Sequence, residues 1–383
     1  MTLGNDGLSN IRIAHYNFLY NPYKQPMSDI NDIRGSPAFN GISFSGYKKT
    51  EVKNQFVENM LKGKIEPACH WSAELICSGH LGDVWDSIFY YVGKYIHIGN
   101  PKIAIYLEKR YNVFRNIMNQ GHFTSELQLR NNDTIRRMFA EIITIVSQSP
   151  KKASFESIKI KREEEFDITQ MTDRLKAPSI TFAEPIIHKD DPKELLISIN
   201  EFAYHIGGDK PNMMLACYWV EWIIEFELIC RKRREPCICK RRNISVETKY
   251  QCDVIWIIWD ALTHYANKRG GLIETVMNSL QILFAAKYTI GTPKKRKYLL
   301  YFAVELLTEH VPTNVDIVAN KEILTVVTSK IDIVYKNIKK NEVSPNTDYL
   351  FSSTDTDKQA NFENSVKKME LLGSLDFVPR NNG

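Results

Sequence analysis

At 383 residues, 43% hydrophobic and 25% charged, the chain is long enough for two domains with proper interiors and too apolar for wholesale disorder. Its longest apolar runs, such as 254–259, fall far short of the roughly 20 residues that cross a bilayer, and the polar start over 1–10 has no secretory pattern. The net charge of +5 is local: residues 231–242 carry seven basic and one acidic side chain, +6, which leaves −1 for the remainder.

In chain order, residues 1–45 are rich in Asn, Gly, Ser, Pro and Tyr and read as an extended arm, with short strands near 11–19. Tyr16, Phe18, Tyr20 and Tyr23 supply aromatic anchors for docking on another surface. From Lys49 the period turns helical. Val52, Phe56, Met60 and Leu61 share a face that Gly63 ends. Further helices are expected over 68–77, 84–98, 102–119 (Asn100 as cap, Pro101 in the first turn) and 134–147, capped by Asp133 and stopped by Pro150. Residues 46–150 thus form a first helical domain.

Residues 151–192 change character, with a charge run over 159–165 and Pro178, Pro185 and Pro192, and read as a linker or long surface crossing. A second helical domain spans 193–340, with helices at 193–206, 213–231, 246–267, 272–287 and 294–310 and an Ile/Val-rich segment over 315–340 of either type. A polar tail, 341–383, holds one short helix at 362–372. The fold class is all-α.

Two strings recur. Ala68-Cys69-His70-Trp71 reads against Ala216-Cys217-Tyr218-Trp219, offset by 148, and Phe139-Ala140-Glu141 against Phe302-Ala303-Val304-Glu305, offset by about 164. Two related helical units in tandem would explain both, with an insertion around 231–242 absorbing the difference.

Several constellations bear on chemistry. Seven scattered cysteines, an odd number, make no disulfide framework and point to a reducing compartment. Cys230, Cys237, Cys239 and Cys252 approach a zinc set, but the Cys-x-Cys spacing is poor and buried or loop thiols are the plainer reading. His70, Glu74 and Cys77 share a helix face beside Cys69, His80, Asp83 and Asp86, which suits metal or acid–base work, or a helix-surface pair and helix-start carboxylates. Trp71, Trp85, Trp219, Trp222, Trp256 and Trp259 fit core packing better than a base-stacking platform. No metal and no cofactor is expected. The strongest surface signal is basic: Arg231, Lys232, Arg233, Arg234, Lys240, Arg241 and Arg242, with Lys294, Lys295, Arg296 and Lys297 further on. It would grip phosphate backbone, anionic lipid headgroups or an acidic protein, or be a plain solvated loop. No phosphate-loop, dinucleotide, nucleophile-elbow or His-Glu-x-x-His motif is present, which argues against the common motif-bearing enzyme classes.

Residues 64–118, from Lys64-Ile65-Glu66-Pro67-Ala68-Cys69-His70-Trp71-Ser72-Ala73-Glu74-Leu75 through Gly99-Asn100-Pro101-Lys102-Ile103-Ala104-Ile105-Tyr106-Leu107, resemble a segment of a protein family shared among nucleocytoplasmic large DNA viruses. No catalytic role attaches to that segment, so no active residue carries over. The resemblance implies a large DNA virus, replication in host-cytoplasm virus factories and presence in the virion. Minor capsid proteins of such viruses commonly lie beneath the major capsid lattice, and several are helical with long arms. The expected function is therefore a non-enzymatic minor capsid protein. It would bridge the major capsid protein and other minor capsid proteins to the inner membrane or genome. The alternative is a nucleic-acid-binding accessory factor in viral replication or transcription.

Overall fold

The computed structural model describes residues 28–121, 125–161, 166, 172–235 and 237–343. The arm over 1–27, with its aromatic anchors, and the tail beyond 343 lie outside the described residues.

Among the described residues the protein is all-α, and the only β pairing is an isolated bridge between Ile42 and Lys48. In chain order the helices are α1 (Lys49–Leu61), α2 (Ile65–Cys77), α3 (Leu81–Tyr91), α4 (Lys102–Gln120) and α5 (Asp133–Gln148). After the crossing come α6 (Leu196–Gly207), α7 (Met213–Arg233), α8 (Ile255–Arg269), α9 (Gly271–Ala285), the short α10 (Thr292–Lys295), α11 (Lys297–Thr308) and α12 (Lys321–Lys339). The Ile/Val-rich segment, open between helix and strand from its sequence, is helical. Asn320 caps it by accepting from the Ile323 amide at 3.0 Å.

Three local expectations are corrected. The cap of α5 is Asn132, whose side chain accepts from the Ile135 amide at 3.0 Å, rather than Asp133. Asn100 does not cap α4, because its side-chain amide donates instead to the Asp316 carbonyl at 3.0 Å. The helix expected from residue 246 starts at Ile255. Its first residues are held by loop pairing, Cys239 N–H to Cys252 C=O and Arg242 N–H to Gln251 C=O, both at 3.0 Å, so those carbonyls are not free to begin a helix.

The described residues divide into two units, a large one of 28–30 with 35–341 and a small one of 31–34 with 342–343. In the small unit Asp32 accepts from the Arg34 guanidinium at 2.6 Å and from the Val343 amide at 2.8 Å. In the large unit a single apolar cluster runs from Ile30 to Ile338. The last residues of the expected arm belong to it, since Phe39 and Phe44 are buried and stacked at 5.9 Å. Of residues 151–192, the described Phe155, Ala183 and Ile186 are pressed into the same cluster.

The stretches 46–150 and 193–340 share this interior. Helix α4 packs along α9, and α12 returns to lie on α2 and α5. After α3 a turn of π-helix, Val92–Ile96, meets α11. Gly93 sits at that meeting, and a Cβ there would lie 2.8 Å from the Tyr298 carbonyl carbon. Only glycine allows so close an approach. Directly after the π-turn, His97 is buried at φ +32 and bonds Glu305 of α11 at 2.6 Å.

Candidate phosphate-binding surface

Helix α7 ends at Arg234, which takes the left-handed conformation (φ +62) and returns its amide to the Arg231 carbonyl at 3.1 Å. Asp191, arriving from the crossing, then shapes the chain that follows. It accepts the Lys240 amide at 2.9 Å and both ends of the Arg242 guanidinium at 2.5 and 2.7 Å. Burial pushes the Asp191 carboxyl up. Arg242 and the amides of His188 and Lys240 outweigh that and hold it below the usual carboxylate range. Arg242 also bonds Asp260 at 2.8 Å, and these partners overcome its burial to keep it firmly charged.

The expected basic set therefore divides. Arg242 is buried between two carboxylates. Arg231 lies against Glu227 at 2.5 Å and Asp253 at 3.2 Å. Lys294 pairs with Glu225 at 3.2 Å, Lys295 with Asp86, and Lys297 with Glu221 at 3.0 Å. Arg296 is buried and bonds Asp86 at 2.8 Å. The run at 294–297 is thus a clamp of cations from α10 and α11 on carboxylates of α3 and α7. Such pairs fix geometry more than they add stability. Five cations have no carboxylate partner among the described residues. Lys232, Arg233 and Arg234 are exposed and have no ion-pair partner among the described residues. Lys240 and Arg241 are also exposed, with only neutral partners, His188 at 3.5 Å and Gln251 at 2.6 Å. Ile238 stands among them at 63% exposure.

The other constellations are structural. Glu74 is buried, and its carboxylate accepts from the Ser43 hydroxyl at 2.7 Å and from the Ser45 amide and hydroxyl at 2.9 and 2.5 Å. Cys69 and Cys77 are buried, and burial pushes the Cys69 thiol up to about 12. His80 bonds the carbonyls of Phe39 and Ile42, and Asp83 holds Lys49 and Lys53. Cys237 and Cys239 act on each other, the neighbouring thiol lowering the first and raising the second. Among the described residues no three His, Cys, Asp or Glu side chains are placed to hold a metal. Five of the six tryptophans are buried and Trp71 is half-buried. They build the interior rather than a stacking platform.

Two features had no sequence signal. One is the His97–Glu305 pair, whose partners stand 208 positions apart. The other is a groove that begins where the basic strip ends. There residues 243–245 face α4 and the end of α9 across Arg115, Asn119 and Gln281.

No family model matches the chain, and no curated protein or solved structure matches it. No described helix is long and apolar enough to cross a membrane.

Proposed function

We propose that this chain is a non-enzymatic structural protein of a large DNA virus. It would be a minor capsid component whose basic strip meets a phosphate-bearing surface, either genome or inner membrane. The observation that carries the phosphate contact is the sorting of charge. Six of the eleven expected cations are matched to carboxylates, while Lys232, Arg233, Arg234, Lys240 and Arg241 stay exposed on one strip without an acidic partner among the described residues. The viral setting rests on the resemblance of residues 64–118. Its protein partners would be the major capsid protein and other minor capsid proteins, and its places the virion and the cytoplasmic factory.

Quantitative mass spectrometry of purified particles, stripped stepwise with salt and detergent, tests the placement. Persistence with the shell in fixed ratio to the major capsid protein is expected, whereas release with the genome or absence from particles sinks the capsid reading. The strip has its own assay. Changing Lys232, Arg233 and Arg234 to Ala should weaken binding to duplex DNA or anionic vesicles. On duplex, the slope of log affinity against log salt should shrink by about 0.9 for each phosphate that the variant no longer neutralises.

A second reading, a nucleic-acid-binding accessory factor in viral replication or transcription, draws support from the groove that adjoins the strip.

A further inference from the structure

The groove between α4, α9 and residues 243–245 has a volume of about 450 Å³, the size of a small-ligand site. Its floor is apolar. Ala285 and Ala286 make a low shelf between Met118, Ile244 and Ile282, above the buried rings of Tyr111 and Phe114. Its rim is polar in an unusual way. Arg115, Asn119, Asn243, Ser245 and Gln281 line it, and none of these five side chains has a hydrogen-bond or ion-pair partner among the described residues. No carboxylate lines it either, and its charged lining residues are Arg115 and Lys287. Lys287 pairs with Glu126 outside the groove, and Arg115 is left open beside the three carboxamides. Lys287 also holds φ +43, a left-handed backbone that costs free energy for a side chain with a Cβ and tends to occur at binding sites.

We infer that this groove takes one nucleoside phosphate unit of a single-stranded nucleic acid that runs along the basic strip. The base would lie on the Ala285–Ala286 shelf. Asn119, Asn243 and Gln281 would face its edge, since a carboxamide both donates and accepts. Arg115 would meet the phosphate. A paired base has its edge occupied and does not fit a recess of this size, so the groove selects unpaired strand. Strip and groove are tied together: Arg241 donates to the Gln251 side chain at 2.6 Å, and Gln251 donates to the Ile244 carbonyl in the groove wall at 2.9 Å. The inference rests on the phosphate-binding reading of the strip and names its ligand. A free nucleotide is the other source of the same chemistry.

The test is fluorescence anisotropy on the full chain with a labelled mixed-sequence DNA single strand and the matching duplex, with far-UV circular dichroism to confirm folding. Arg115→Ala combined with Gln281→Leu should weaken single-strand binding roughly tenfold or more, the scale of one stacked base and its contacts. Its salt slope should drop by about 0.7, and duplex binding should not move. The Lys232, Arg233, Arg234→Ala variant should weaken both. Displacement of the strand from wild type by a nucleoside triphosphate mixture, lost in the groove variant, would support the site with free nucleotide as its source; no displacement would assign it to the strand. A groove variant that binds single strand as wild type does overturns the inference and leaves the strip reading intact. Wild type that binds neither nucleic acid form overturns the inference, and if it also fails to bind anionic vesicles it overturns the strip reading.

Discussion

His205 is a histidine that folding keeps neutral. Its ring is buried, neither nitrogen has a hydrogen-bond partner, and burial lowers its pKa from 6.5 to about 4. Glu201 Oε2 lies 3.6 Å from Nε2. That carboxylate already accepts the amides of Lys176 and Ala177 at 2.9 and 3.0 Å, so burial decides the balance. Between pH 6.5 and 4 the unfolded chain binds the proton that the folded chain refuses. The stability is therefore complete above pH 6.5 and falls as pH drops toward 4, by about 3 kcal/mol at most. Urea unfolding across that window should show the loss, and His205→Phe should flatten it; an unchanged pH profile in the variant would refute the assignment. His97 is the contrasting case. Nδ1 faces Glu305 at 2.6 Å and Nε2 faces the Ala153 carbonyl at 3.1 Å. A carbonyl only accepts, so Nε2 donates to Ala153. His97→Ala strands a buried carboxylate and should cost about 3–5 kcal/mol of unfolding free energy. Glu305→Gln keeps a partner for Nδ1 and should cost clearly less in the same measurement.

At the scale of elements, Arg296 shows how one side chain joins several helices. It breaks α10 from α11 (φ −111, ψ +21), and its Nη1 donates to the carbonyls of Leu283 and Phe284, at 3.2 and 2.8 Å, and of Ala286. These lie at the end of α9, where a helix leaves carbonyls without partners. Asp86 of α3 balances the charge at 2.8 Å. Arg296→Met keeps the stem but takes this donor from the Phe284 and Ala286 carbonyls and leaves Asp86 to Lys295 alone, a loss of about 3 kcal/mol visible as a lower urea midpoint. Arg296→Lys should recover only part, because an ammonium cannot span the same fork. A Met variant as stable as wild type would refute this account. The same residue marks the limit of sequence reading. Helices α1, α2, α4, α5 and α7 were legible because apolar spacing and turn residues are local signals. So was the charge of 231–242 and 294–297. Its neutralisation was not legible, because Asp86, Asp191, Glu221 and Asp260 come from other elements. The late start of α8 was hidden for the same reason, being set by pairing with residues 239–242. Arg115 and Gln281 carry no pattern at all, and only the crossing of α4 and α9 makes them neighbours.

At the scale of the molecule, the recurring strings fall on helices that pack in pairs, α2 with α5 and α7 with α11. Such pairing is what a tandem duplication would leave behind. Yet each half of the large unit completes the other. The faces of α2 and α5 are covered by Ile331, Tyr335 and Ile338 of α12, and Arg136 of α5 lies 4.1 Å over the Tyr335 ring. On the opposite side, Ser279 of α9 donates to Glu108 of α4 at 2.7 Å along the α4–α9 seam. A fragment of residues 46–150 alone would expose both apolar faces, and one of 193–343 would lose the partners of α9 and α12. Fully burying one large aliphatic or aromatic side chain contributes about 1.5–3 kcal/mol. The three buried side chains of α12 thus carry an amount comparable to the whole stability of a domain. Expressed separately, each fragment should give a broad, weakly cooperative thermal transition by circular dichroism. Mixed, they should form a one-to-one complex in size exclusion and regain a single sharp transition. Two fragments that each unfold cooperatively near the wild-type midpoint would show instead that the seam is an interface between independent domains.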